Sequence, residues 1–324
     1  MRAPWRWRDR GGIAAVLGQM AGGGTSFRGT REFPLADPTV MMLIGWNMDL
    51  SLNQKAVLIT GGAGTLGMAA ARCFAAESAK VGLLDLASKR EDPGVVSFLA
   101  EFPEQAAFFP LDLVDETSIR ECVTAVLARF GVIDAVVHNA ATFHFSPVCD
   151  WGSTAPLDLH YAVGVQGPVR LQREIWKQCP SALGGSVVVI SSVAGHVGEP
   201  DAFAYTPIKA AQKGFALSCA MEMSAHGGWA VSVSPGHIWG PIHRSRAEAA
   251  GLGREAYEQS KPNIQSTLLG RFLEPAEVAR WIVLAASPTG QSLTGQDLRV
   301  TLGIEAGGFN RGYDTSAGGG KVEW

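Results

Sequence analysis

Between residues 55 and 303 the chain alternates short runs of branched apolar residues with longer segments of helical period, and few folds are compatible with that alternation. A strand covered on both faces reads as a continuous apolar run, and strands separated by helices must be joined by crossovers. The pattern therefore predicts repeated βα units on a parallel sheet. Strands are expected at Ala56 to Thr60, Val81 to Asp85, Ala106 to Phe109, Ile133 to His138, Ser186 to Ser191, Ala230 to Ser234 and Asp297 to Thr301. Helices are expected at Thr65 to Ser78, Glu116 to Phe130, Thr154 to Lys177, Ala204 to Ala225 and Pro275 to Ala286, the last with proline at a favourable first-turn position. With right-handed crossovers these elements give an α/β fold, a doubly wound seven-stranded parallel sheet in a single domain over residues 48–303, with a loop-rich lid near 237–265.

The two ends differ from this body. Residues 1–47 carry Arg2, Arg6, Arg8, Arg10, Arg28 and Arg31 against Asp9, Glu32 and Asp37, without sustained periodicity. An arginine-rich, acid-poor leader can serve organelle import. The preferred expectation is a disordered N-terminal extension, with Met48 as a natural start before a polar lead-in to the first strand. The tail 304–324, with Gly318, Gly319 and Gly320 in a row, is expected to be flexible or packed on a neighbouring subunit. A net charge of −3 offers no footprint for nucleic acid, and no run reaches the ~20 apolar residues of a spanning helix, so neither nucleic acid nor membrane is expected as a partner. The five cysteines and seven histidines include no Cys-x-x-Cys or His-x-x-x-His pair. Hence no metal, no disulfide framework and a cytoplasmic location are expected.

The first strand runs into Thr60-Gly61-Gly62-Ala63-Gly64-Thr65-Leu66-Gly67, a glycine-rich turn that opens a helix. Glycines there let backbone approach a pyrophosphate, and the helix N-terminus offers unpaired N–H groups and partial positive charge. The second strand ends at Asp85, 18 residues after Gly67, where a carboxylate can accept hydrogen bonds from the adenosine ribose hydroxyls and repel a 2′-phosphate. Leu86 and Thr65 stand where basic residues would welcome that phosphate, so NAD is expected over NADP, although Lys89 and Arg90 lie nearby.

Farther along, Tyr205 and Lys209 stand four residues apart on one helix face, and Ser192 lies 13 residues before the tyrosine at a strand end. An ammonium beside a phenol favours the phenolate, so Tyr205 is expected to exchange protons well below a phenol's usual pKa near ~10. By itself such a pair is an ordinary feature of a helix surface.

Taken in order, these residues resemble the short-chain dehydrogenase/reductase family, from about Lys55 to Gly303. The matching pieces are Thr60 to Gly67, Asp85, Asp112-Leu113, Asn139-Ala140-Ala141, Ile190-Ser191-Ser192, Tyr205 with Lys209, Pro235-Gly236 and Thr294-Gly295-Gln296. The tyrosine neighbourhood, Pro235-Gly236 and Arg271 to Pro275 look like the compact alcohol-dehydrogenase branch, while Gly64 followed by Thr65 is closer to the longer sugar-nucleotide-modifying branch. The resemblance implies a Rossmann-type fold with Tyr205 as acid/base, Ser192 orienting the substrate oxygen, and Lys209 binding the nicotinamide ribose. It implies cofactor contacts at Gly61, Gly64, Thr65, Leu66, Gly67, Asp85, Leu86, Asp112, Leu113, Asn139, Ala140, Ala141, Tyr205, Lys209, Pro235, Gly236 and Ile238. A homodimer or homotetramer is also implied, packed through the long helices near 154–177 and 204–225.

Two positions depart from the family pattern. Gly164 stands where a catalytic asparagine supporting a water in the proton relay is usual, and Gly240 where a cofactor-contacting threonine is common. A main-chain carbonyl at Gly164 is expected to hold that water instead, and a gain of turnover in Gly164→Asn would support this. Phe143, His144, Val193, His237 and Trp239 follow strand ends and are expected to face the substrate, a medium-sized cyclic or aromatic secondary alcohol or ketone. The leading expectation is an NAD-dependent alcohol dehydrogenase or ketone reductase. A nucleotide-sugar epimerase or dehydratase, and a catalytically silent NAD-binding scaffold, are the alternatives.

Overall fold

In the computed structural model, which describes residues 50–306, the strands are β1 (Ala56–Thr60), β2 (Lys80–Asp85), β3 (Ala106–Pro110), β4 (Ala135–His138), β5 (Ser186–Ile190), β6 (Trp229–Pro235) and β7 (Asp297–Val300). All pair in parallel in the order β3-β2-β1-β4-β5-β6-β7, the expected doubly wound sheet. Strand order reverses between β1 and β4, and such a reversal opens a crevice at the strands' C-terminal ends. The expected extension 1–47 and the tail beyond 306 lie outside the described residues.

The continuous apolar strands are explained by cover on both faces. Val57 and Ile59 point to one side, where Phe74 and Ala70 of α1 (Thr65–Ala76) meet Val278 and Ile282 of α10 (Pro275–Ala286). Ala56 and Leu58 point to the other, against Ile119 and Val123 of α3 (Glu116–Phe130) and Leu171 and Ile175 of α5 (Gly167–Gln178). Each such side chain contributes about 1.5–3 kcal/mol on burial, so these two layers dominate the fold's stability. Local signals set the ends: the Asp115 carboxylate accepts from Thr117 N–H and Gly131 takes a left-handed φ of 77° at the end of α3. At the start of α10, Pro275 follows Glu274, whose side chain forms a capping box with Glu277.

Three elements differ from expectation. The helix expected over 154–177 is α4 (Ala155–Tyr161) and α5, joined by one wide π turn, Ala162–Gln166, centred on Gly164. A helix not expected, α2 (Pro93–Glu101), forms because Val95 and Phe98 bury themselves beside β3, with Pro93 at the favourable first position and despite Gly94. The lid is helical instead of loop-rich, with α7 (Pro241–Ala249), α8 (Arg254–Gln259) and α9 (Pro262–Gln265) around a small core of Ala247, Tyr257, Ile264 and Phe272. Its apolar anchors are too irregularly spaced to show a helical period. The 20-residue α6 (Tyr205–Ser224) completes the set next to β5 and β6.

Candidate active site

The crevice is built around the turn after β1. Gly61 has φ of 63°, and a Cβ there would lie 2.9 Å from the Ala140 Cα; a Cβ on Gly67 would overlap the Gly61 carbonyl oxygen. The turn is tied to β4 from below: Thr60 Oγ1 accepts from the N–H groups of Asn139 (3.0 Å) and Ala140 (3.1 Å). The Asn139 amide donates to the carbonyls of Thr60 (3.0 Å) and Gly61 (3.1 Å), so this side chain shapes the turn. No side chain caps α1 at Gly64 and no acidic residue occupies its first turn, which leaves Thr65, Leu66 and Gly67 presenting the positive end of the helix.

Asp85, at the end of β2, accepts from Ala63 N–H (3.0 Å) and Leu86 N–H (2.9 Å), one bond to each oxygen, and every carboxylate oxygen retains a further lone pair. Leu86 is exposed and Leu113 is buried. The Asp112 N–H donates to Ser118 Oγ (2.9 Å) and its carboxylate accepts from Val114 N–H (3.0 Å). After β6, Gly236 N–H donates to Val300 O (2.8 Å), Ile238 bridges to Leu273, and Trp239 N–H donates to Leu273 O (2.8 Å). This anchors the lid's root; a Cβ on Gly240 would sit 3.7 Å from Thr65 Oγ1, in ordinary contact across the crevice.

Ser192 caps a short 3-10 turn after β5, its Oγ accepting from Ala194 N–H (3.1 Å), which leaves its hydrogen free to donate. Tyr205 opens α6, with Phe143 stacked 5.8 Å away, Phe145 tilted at 5.3 Å and the edge of His160 at 6.4 Å between ring centroids. This enclosure raises the phenol's pKa above its ordinary value, with a hydrogen bond from Ser192 opposing and the Glu199 charge adding to the rise. The expectation of a lowered phenol pKa is thus overturned in the unliganded protein. Lys209 does not supply the pull: its Nζ lies 5.4 Å from the centre of the tyrosine ring and donates to Ile190 O (2.9 Å) and Gln212 Oε1 (2.9 Å). Burial brings the Lys209 ammonium down to about 7.

Gly164 packs directly against α6 (Tyr205–Ser224). Its carbonyl accepts from Gln212 Nε2 (3.0 Å), and a Cβ on it would overlap Ile208 Cγ2. Ile208 fills the space that a side chain at position 164 would take, while Gln212 offers its amide oxygen to Lys209. Gly164→Asn is therefore expected to lower thermal stability, by the roughly 1–3 kcal/mol typical of overpacking, and to give no gain in turnover. Calorimetry together with steady-state rates checks this, and an unchanged melting temperature would contradict it.

The residues expected near the substrate divide. Phe143 flanks Tyr205, and Ala141 lines a small cavity behind it. His144 turns toward Trp151, at 5.4 Å, and pairs with Ser146 Oγ (2.8 Å). Val193 is buried. His237 Nε2 pairs with the Asn263 amide (3.1 Å), and Trp239 packs on Tyr257, Phe272 and the Arg254 guanidinium, inside the lid's own core. Sequence reasoning missed Gln212 and His160, both buried and both on this site's rear wall. A polar residue three positions after Lys209 was the available signal for the first. Among the described residues no cluster of His, Cys, Asp or Glu suits a metal, and no helix is long and apolar enough to cross a membrane.

A family model described as Enoyl-(Acyl carrier protein) reductase matches residues 61–305. Cyclopentanol dehydrogenase of Comamonas sp. (strain NCIMB 9872) is 29% identical over 255 residues, covering 79% of this chain and 98% of the relative. Trans-4-hydroxycyclohexanecarboxylate dehydrogenase of Sinomonas cyclohexanicum is 30% identical over 265 residues, covering 78% of this chain and 94% of its own. The solved short-chain dehydrogenase/reductase from Serratia marcescens BCRC 10948 superimposes with a TM-score of 0.67 at 22% identity over 78% of this chain and 98% of that one, a likeness of fold. With a family match over most of its length, relatives aligned nearly end to end and the same parallel sheet, the chain belongs to the short-chain dehydrogenase/reductase family.

Proposed function

We propose that the protein interconverts a secondary alcohol and a ketone by hydride transfer with NAD, with Tyr205 moving the proton and a medium-sized cyclic or aromatic compound as substrate. The observation that carries this reading is the Tyr205 phenol, enclosed beside Ser192 and flanked by the rings of Phe143 and Phe145. Flat apolar rings at the mouth suit a ring substrate. The names of the two relatives, a cyclopentanol and a hydroxycyclohexanecarboxylate dehydrogenase, support the same class.

The crevice fits a dinucleotide. Gly61 and Gly67 leave backbone where any side chain would intrude, the start of α1 offers free N–H groups to a pyrophosphate, and Asp85 offers carboxylate lone pairs to ribose hydroxyls. When bound, the nicotinamide supplies or takes up the hydride. The remaining chemistry belongs to the protein. Ser192 donates to the substrate oxygen and fixes its position. Tyr205, protonated at neutral pH, hands its proton to a ketone oxygen, and in the reverse direction its phenolate takes one from the alcohol. Lys209 holds the floor of the site through Ile190 and Gln212.

The choice of NAD rests on Asp85. Asp85→Ala is expected to raise the KM for NAD by about tenfold or more, as loss of hydrogen bonds to a charged group implies, and to affect NADP less. Equal losses for both cofactors would count against the choice. For the reaction itself, the purified protein is given NAD and a panel containing cyclopentanol, cyclohexanol and benzylic secondary alcohols, and reduced cofactor is followed by absorbance. Turnover of ring alcohols is expected. Bound NAD without turnover of any alcohol or ketone would favour the silent scaffold. The reading includes a homodimer or homotetramer, supported by the exposed Leu217 and Met221 on α6 and Val169 on α5.

A further inference from the structure

Behind Tyr205 and Lys209 lies a small cavity bounded by Ala141, Thr142, His160, Gly164, Ile208 and Gln212. It leaves about 10 Å³ for the centre of a water molecule, close to the minimum that holds one. Among the described residues two of its wall groups, Thr142 Oγ1 and His160 Nε2, are buried polar atoms with no hydrogen-bond partner in the protein. Buried polar groups are seldom left so, and a polar cavity of this size is the ordinary remedy.

The tautomer of His160 is fixed by its other nitrogen. Nδ1 lies 2.7 Å from the Pro156 carbonyl, which can only accept, so Nδ1 carries the hydrogen and Nε2 presents a lone pair to the cavity. Lys209 has the complementary deficit. Its ammonium has three N–H bonds, and the protein takes two of them, at Ile190 O and Gln212 Oε1. The Gly164 carbonyl, which the family resemblance leads one to expect as the water's holder, already accepts from Gln212 Nε2 and keeps one lone pair, so His160 Nε2 is the basic site among the cavity's acceptors.

We propose that the proton relay of this protein runs from Lys209 through one cavity water to His160 Nε2, so that His160 acts as the terminal acceptor. The inference rests on the assignment of Tyr205 and Lys209 under the proposed function. In the alcohol-oxidising direction the third N–H of Lys209 breaks as the water oxygen takes its proton. A proton already on that water passes to Nε2, giving an imidazolium braced by the Pro156 carbonyl. In ketone reduction the same bonds reverse, and no electrons move in either case. Thr142 Oγ1 completes the water's partners. The charged or titratable groups facing His160 are Lys209 and Tyr205 from α6 and His144 from the segment after β4. Burial holds the imidazole below its usual pKa, against the pull of the Pro156 carbonyl and, more weakly, of the Thr142 carbonyl, and His144 and Lys209 add to the depression.

The test uses the full chain with NAD and cyclopentanol. His160→Gln keeps a polar side chain without a basic nitrogen and is expected to lower kcat by about tenfold, below the 10²–10⁴ of a direct acid or base, with KM unchanged. His160→Ala is expected to regain turnover when imidazole is added. A readout independent of turnover is nitrogen NMR of histidine-labelled protein: His160 should show a protonated Nδ1 and a bare Nε2, and Lys209→Met should raise its pKa. A protonated Nε2, or a His160→Gln enzyme equal to the parent while Tyr205→Phe is inactive, would overturn the relay and leave the proposed function standing. An active Tyr205→Phe would instead remove Tyr205 as the proton carrier, the part of the proposed function on which the relay rests.

Discussion

Tyr205→Phe is expected to lower turnover by about a thousandfold, inside the 10²–10⁴ span of general acid–base catalysis, while leaving cofactor affinity and fold intact. The substitution removes one oxygen and keeps the ring. That ring's contacts with Phe143, Phe145 and His160 are what the apolar surroundings hold, so the aromatic wall persists. What is lost is the group that the Ser192 hydroxyl engages and that carries the proton. Because burial makes the phenol's ionised form costly here, removing the hydroxyl gives up little folding energy beyond one hydrogen bond, about 1 kcal/mol. The split is diagnostic: near-parental melting temperature and NAD binding with collapsed kcat. A variant retaining a tenth of parental turnover would show that another group moves the proton.

The fold was legible because its strands are buried on both faces, and that requirement writes itself into sequence as branched apolar runs such as Val57 to Ile59 and Val187 to Ile190. The turn was legible for a related reason: Gly61 and Gly67 tolerate no Cβ, a constraint of local backbone that the spacing records. The lid was not, since Tyr257, Ile264 and Phe272 meet only in three dimensions and leave no period to read. The rear wall of the site was legible only in part. Gly164 stood out as a departure, yet what compensates it sits 44 and 48 residues later, where Ile208 fills the volume and Gln212 supplies the amide. Trp239 shows the opposite error, since an aromatic after a strand end reads equally as a substrate contact or as the packing core of a lid. The direction of the Tyr205 pKa was out of reach for the same reason. Spacing along a helix brings Lys209 near the ring, but the carbonyl of Ile190 decides where its ammonium points.

Lys209→Met is expected to cut turnover by about a hundredfold or more, the lower end of the acid–base range, and to change how stability depends on pH. The sign follows from burial. In the unfolded chain Lys209 titrates at a lysine's ordinary 10.5, and in the folded protein at about 7. Between those values the unfolded state binds more protons than the folded one, so the parental protein gains stability as pH rises above about 7, by up to about 1.4 kcal/mol per pH unit. Below that value both states are charged and this gain is absent. The window from 7 to 9 is clean. His138, held down to about 4, contributes its change below 6.5, while Cys122 and Cys219, pushed up to about 12, act above 9. Methionine fills the stem's volume but leaves Ile190 O and Gln212 Oε1 without their donor, at about 1–3 kcal/mol each when buried. The variant should therefore be clearly less stable than the parent at pH 9, and the gap should narrow toward pH 7 as the buried charge begins to burden the parent alone. Denaturant unfolding of the unliganded proteins at half-unit steps of pH measures that gap. Parallel curves would mean that Lys209 keeps its proton throughout.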